Sequence, residues 1–125
     1  MFVASQHGYY DSVKCLLSFH ADINLCDEDG QSSLFIASKC GDCDVVKCLL
    51  SSGADFNLCN KQGQSPLFAA SLMDGDYDVV KCLLSSGADM HLCNKQGQSP
   101  LFIASKCGDW NVVECLLSSG ADINL

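Results

Sequence analysis

The sequence predicts an all-α solenoid of stacked helix-turn-helix units, and three observations carry that reading. The string Gly30-Gln31-Ser32-Ser33-Leu34-Phe35-Ile36-Ala37-Ser38 recurs from Gly63 and again from Gly97, at offsets of 33 and then 34 residues. A second block, Val46-Lys47-Cys48-Leu49-Leu50-Ser51-Ser52-Gly53-Ala54-Asp55, has counterparts starting at Val13, Val80 and Val113. Between these blocks, helix start and stop residues fall at fixed positions in every unit.

Each unit reads as turn, helix, turn, helix, loop. Ser65-Pro66 and Ser99-Pro100 put an N-cap hydroxyl before a proline at the first helical position, where the missing N–H costs nothing. A short apolar helix follows and is expected to stop at Gly41, Gly75 or Gly108. Asp42, Asp76 and Asp109 then cap a second helix, whose N-terminus favours negative charge. That helix carries Val45, Val46, Leu49 and Leu50 at helical spacing, and Gly53, Gly87 and Gly120 supply a left-handed end. A polar loop through Asn60-Lys61-Gln62-Gly63 enters the next unit. One such helix pair is too apolar to stand alone, whereas stacked pairs bury a continuous core.

The pattern resembles the ankyrin repeat from end to end. The residues that carry the resemblance are the Ser-Pro-Leu-Phe-x-Ala block, the Val-Val-x-x-Leu-Leu block and the Gly-Ala-Asp-x-Asn loop. It implies an ankyrin-type solenoid whose helix pairs are joined by β-hairpin-like loops. The units expected are 1–26 (partial), 27–59, 60–93 with a one-residue insertion, and 94–125, truncated at its C-terminal end. Three features depart from the family pattern. The usual histidine of Thr-Pro-Leu-His is replaced by Phe35, Phe68 and Phe102, so apolar packing is expected where hydrogen bonds would be. Ser33 replaces a proline, and the unit holding Leu72-Met73-Asp74-Gly75 has one extra residue, lengthening the turn between its helices. Neither end has the polar outer face of a capping repeat, which points to a piece of a longer array and to end-to-end self-association of the uncapped stack.

Composition narrows the function classes. Of 125 residues, 48% are hydrophobic and 18% charged, as in a globular domain, and 15 acidic residues outweigh 7 lysines for a net charge of -8. That field repels phosphate backbones and arginine is absent, so nucleic acid is excluded as the expected partner. No apolar run approaches the ~18 residues a membrane span needs, and the N-terminus lacks the basic and apolar regions of a signal peptide. A cytoplasmic, reducing compartment is expected.

Seven of the ten cysteines form a ladder more than a disulfide framework. Cys15, Cys48, Cys82 and Cys115 share one position in the second helix, and Cys26, Cys59 and Cys93 share another in the loop. Equivalent residues of neighbouring units are about 8–10 Å apart, beyond the ~7 Å Cα limit of a disulfide. Buried thiols in the helix and partly exposed ones in the loop are therefore expected. Cys40-Gly41-Asp42-Cys43 is a C-x-x-C without the second pair of a zinc site or the βαβ setting of a redox motif. Asp74-Gly75-Asp76-Tyr77-Asp78 mimics a calcium loop but has Val79 and Ser85 where glycine and glutamate are needed. His7, His20 and His91 share no catalytic spacing, so no nucleophile–base pair, metal set or cofactor is expected, and no enzyme.

The resemblance instead implies a protein-binding module that takes a protein or peptide on its concave face, formed by loop tips and the exposed side of each first helix. The matching positions are Gln6 and His7; Glu28, Asp29, Gln31, Lys39 and Cys40; Lys61, Gln62, Gln64, Leu72 and Met73; and Lys95, Gln96, Gln98, Lys106 and Cys107. Four of the seven lysines fall in this set. They make either a locally basic groove suited to an acidic or polar partner or a set of solvated side chains kept for solubility. The resemblance also implies possible hydroxylation by an asparagine hydroxylase at Asn24, Asn57 and Asn124, His91 standing at the equivalent fourth position. The near-identity of 58–71 and 92–105 favours a second reading, a structural or elastic spacer within a larger protein, for example one associated with a membrane.

Overall fold

The computed structural model describes residues 22–72 and 76–120. Six helices follow one another: α1 Ser33–Cys40, α2 Cys43–Ser51, α3 Pro66–Ser71, α4 Tyr77–Ser85, α5 Pro100–Cys107 and α6 Trp110–Ser118. They pair as α1/α2, α3/α4 and α5/α6, and the pairs stack so that α1, α3 and α5 touch in sequence while α2, α4 and α6 form a second layer. Among the described residues there is no strand; an isolated antiparallel bridge joins Cys26 to Ser32. The all-α stack expected from the repeats is the fold.

The caps explain why helices this short hold. Ser32, Ser65 and Ser99 are extended, and each Oγ accepts a bond of 3.1 Å from the N–H of Phe35, Phe68 or Phe102. Asp42, Asp76 and Asp109 do the same for Val45, Val79 and Val112 at 3.1–3.2 Å. At the far end of α2 the Ala54 N–H reaches back to the Leu49 carbonyl at 3.0 Å, and Ala88 does so to Leu83. The glycine between, Gly53 or Gly87, sits one residue past the serine cap rather than at the cap itself.

The core runs through the interface of the two layers. Leu34, Leu67 and Leu101 from the first helices meet Val45, Val46 and Leu49, Val79, Val80 and Leu83, and Val112 and Leu116 from the second. Ala37, Ala70 and Ala104 have no bulk to hold the helices apart. Phe35 and Phe68 are 1% exposed, with Phe35 clustered against Ile36 and Ala69 of the next pair. Burial of a phenylalanine contributes about 2–3 kcal/mol, so apolar packing holds the position where hydrogen bonds of a histidine would otherwise be. Phe102 departs from this, at 43% exposed, because no described repeat packs over it.

Two expectations need correcting. The first helix of the insertion-bearing unit does not run on to Gly75: α3 has six residues against eight in α1 and α5, and Leu72 is already extended at φ -72°, ψ 144°. Asp76 nonetheless caps α4, its side chain accepting from the Val79 N–H at 3.1 Å. The third-repeat stop at Gly75, like Met73, lies outside the described residues. Secondly, the helical cysteines are not uniformly buried: Cys115 is, whereas Cys48 and Cys82 are half-buried.

Candidate protein-binding surface

The loops are tight turns with internal amide clamps. In the second described loop the Asn60 N–H donates to the Gln64 carbonyl and the Gly63 N–H to the Asn60 carbonyl, both at 3.0 Å. The buried Asn60 side chain completes the turn: Oδ1 accepts from the Gln62 and Gln64 N–H groups at 3.0 and 2.9 Å, and Nδ2 donates to Gln64 Oε1 at 2.9 Å. Asn94 and Gln98 repeat every one of these bonds. In the first loop Asp27 replaces the asparagine, and its Oδ1 accepts from Asp29 and Gln31 at 3.0 and 2.8 Å. Gln31, Gln64 and Gln98 are consequently half-buried, and the amide oxygens of the last two are already engaged within the loop.

Successive loop tips are joined backbone to backbone. Lys61 N–H donates to the Asp29 carbonyl and Lys95 N–H to the Gln62 carbonyl, each at 3.0 Å. Gly30 and Gly63, both at φ +76°, permit this approach: a Cβ on Gly63 would stand 3.0 Å from the Lys95 nitrogen, and one on Gly30 3.1 Å from that of Lys61. The side chains of Glu28, Asp29, Lys61, Gln62, Lys95 and Gln96 are left exposed along the joined tips. Lys39, Cys40, Lys106 and Cys107 are exposed in the last turns of α1 and α5, and Leu72 is half-buried just past α3. Glu28 and Asp29 set two carboxylates at one end of a row that continues with Lys61 and Lys95, so the lysine set is not uniformly basic. Gln6, His7 and Met73 lie outside the described residues.

The other loops serve the stack. Asn24 Oδ1 accepts from the Asp55 N–H, and Asn57 Oδ1 from the Asp89 N–H, both at 2.9 Å across neighbouring units. Asp55 and Asp89 in turn accept from Asn57 and His91 two residues on. Asn124 lies outside the described residues. The loop thiols belong to the same bonding pattern: Cys26, Cys59 and Cys93 donate to the carbonyls of Asn24, Asn57 and His91 at 3.4–3.5 Å. Burial, with help from Asp27 and Asp22, pushes the Cys26 thiol up; burial and then Asp55 do so for Cys59. Burial also raises Cys115 against the opposing charge of Lys81. Thiols so raised stay protonated near neutral pH and are poor nucleophiles.

A contact that the sequence concealed joins the start of α2 to the middle of α4, where the sulfurs of Cys43 and Cys82 are 3.9 Å apart. The ladder argument compares equivalent positions, and these two are not equivalent: Cys43 matches Tyr77, and Cys48 matches Cys82. Among the described residues no group of three or more His, Cys, Asp or Glu gathers as a metal set, and no helix is long and apolar enough to cross a membrane.

Comparison with known proteins agrees with the geometry. No curated protein sequence matches the chain. A family model for ankyrin repeats in three copies matches residues 1–93 and 41–125, which together cover the whole chain. With capped helix pairs in register, backbone-joined loop tips and a match from end to end, the chain belongs to the ankyrin-repeat family.

Proposed function

We propose that this array is a scaffold module that binds an acidic or polar protein or peptide on its concave face. Ankyrin repeats are in general protein–protein interaction modules and typically not enzymes. The observation that carries the finer reading is the row of exposed side chains on tips joined by the Lys61–Asp29 and Lys95–Gln62 bonds. Preorganised tips lower the ordering cost of binding, and Lys39, Lys61, Lys95 and Lys106 concentrate positive charge on a chain of net charge -8. The proposed contact set is the exposed tip and helix-end residues together with Gln6, His7, Leu72 and Met73, on the repeat frame 1–26, 27–59, 60–93 and 94–125. Gln31, Gln64 and Gln98 contribute by shaping the tips more than by direct contact, given their bonds within the loops. The compartment proposed is the cytoplasm, and no nucleic acid, membrane insertion or cofactor is part of the reading.

The test is affinity capture with the chain, followed by competition with a Lys61→Glu/Lys95→Glu double variant. A genuine groove partner should lose at least several-fold in affinity; unchanged competition would remove the lysines from the site. The second reading, a structural spacer, is favoured by one observation: the loops at 60–64 and 94–98 have the same sequence and the same set of hydrogen bonds. Capture that returns no partner sensitive to either face would support it. Asn24 and Asn57 remain proposed hydroxylation positions, together with Asn124. Because the Asn24 and Asn57 side chains bridge adjacent units, a hydroxylase would need the loop opened from the stack first.

A further inference from the structure

We propose that Cys43 and Cys82, whose sulfurs lie 3.9 Å apart across two adjacent repeats, are a modification site at which a low-molecular-weight disulfide such as oxidised glutathione installs an inter-repeat disulfide. The pair belongs to α2 and α4, which pack directly against each other. It opens on a groove of about 670 Å³ lined also by Lys47, Leu50, Asp78 and Lys81, which is room for a small oxidant. A disulfide needs a sulfur separation of about 2.05 Å, so closure asks the two sulfurs to approach by just under 2 Å. Rotation of two half-buried side chains and a small slide between helices supply a movement of that size.

The chemistry balances as two exchanges. The Cys82 thiolate attacks one sulfur of the oxidant, forming a mixed disulfide and releasing one small thiol. The Cys43 thiolate then attacks the Cys82 sulfur, forming the Cys43–Cys82 bond and releasing the second thiol. Two S–H bonds become one S–S bond, and the oxidant's S–S bond takes up both electrons and both protons as two thiols. The second step needs the Cys43 thiolate. Burial, then the hydrogen bond and charge shared with Cys82, hold the Cys43 thiol up at about 11, Asp76 adding to this and Lys47 opposing it. Cys43 therefore rests as a thiol, and its thiolate becomes more available as the medium becomes alkaline.

The product would close a loop of about 40 residues, and a cross-link of that span should raise Tm by roughly 10 °C. It would pin two neighbouring repeats whose stacking is otherwise non-covalent. The experiment is peptide mapping of the whole chain after treatment with oxidised glutathione at about pH 8 and alkylation under non-reducing conditions. Cleavage at both lysine and aspartate separates Cys43 from Cys40, which a lysine-specific digest leaves on one peptide. The expected result is a Cys43–Cys82 linked peptide, with the count of ten thiols lowered by two and a raised Tm that a reductant reverses. Cys43→Ser and Cys82→Ser should each abolish the linked peptide and the Tm rise. Stable glutathione adducts without the link, a dominant Cys40–Cys43 product, or a link with no gain in Tm would overturn the proposal. The wild-type map decides even if a variant fails to fold.

Discussion

Replacing Gly63 and Gly97 with alanine, one at a time, separates two costs that the loop conformation combines. Both residues sit at φ +76° in the same Asn-Lys-Gln-Gly-Gln sequence, and both donate to the asparagine three residues back at 3.0 Å. Alanine in the left-handed region costs about 1–2 kcal/mol at either site. The neighbours differ. A Cβ at Gly97 meets nothing within 4 Å, whereas one at Gly63 comes within 3.0 Å of the Lys95 nitrogen and 3.3 Å of Asn94 backbone atoms. Relief of that contact must push the tips apart and stretch the Lys95 N–H bond to the Gln62 carbonyl, worth about 0.5–1.5 kcal/mol. Gly63→Ala should therefore cost about 1 kcal/mol more than Gly97→Ala, or an additional ~4 °C in Tm. Urea unfolding followed by far-UV circular dichroism measures both variants against the parent. Equal losses would show that the tip-to-tip bond contributes nothing and would refute the account of a preorganised face.

Three further predictions follow from the same packing. Ser33→Pro should stabilise the chain by about 1 kcal/mol in the same urea assay. Ser33 Oγ is buried without a partner, Ser32 is already extended before it, and Pro66 and Pro100 occupy the equivalent positions. Leu83→Ala, at a site 0% exposed, should cost about 2–5 kcal/mol, while Leu117→Ala, at 41% exposure, should stay within about 0.5 kcal/mol. Stability should decline as pH rises from 9 towards 11, because the Cys43 thiol is raised from 9.0 to about 11 by burial and its bond to Cys82. The folded state favours the protonated form, so its advantage is complete below the unfolded pKa and lost on the alkaline side. Cys43→Ser should flatten this part of the pH–stability curve, and an unchanged slope would discount the shift.

Most of the architecture could be read from the chain because repetition multiplies weak signals. A lone Ser-Pro or Gly-Asp is common, but Ser32, Ser65 and Ser99 recurring in register with Asp42, Asp76 and Asp109 leaves little choice of helix boundaries. Register comparison also sets the limit of what is legible. It predicts where equivalent residues stand relative to one another and misses contacts between non-equivalent ones. The Cys43–Cys82 approach involves positions five residues out of register, so a ladder of equivalent cysteines conceals it. The extra residue near Leu72 is visible in the sequence, whereas the end of α3 already at Ser71 is not, because Leu72 carries no helix-stop signal of its own. For the candidate surface, exposure of Lys61 and Lys95 could be anticipated from polarity. The half-burial of Gln64 and Gln98 could not, since it arises from amide pairs with Asn60 and Asn94 that form only once the turn is closed.

The face assignment is tested most directly by calorimetric titration of a captured partner into three forms of the chain. These are the parent, Lys61→Glu/Lys95→Glu on the joined loop tips, and Lys47→Glu/Lys81→Glu beside the groove of the second-helix layer. Both doubles make the same change in net charge, so a bulk electrostatic effect weakens the two alike. The account predicts at least a several-fold loss for the loop-tip double and affinity close to the parent for the second-helix double. Equal loss in both, or a loss confined to the second-helix double, would contradict it.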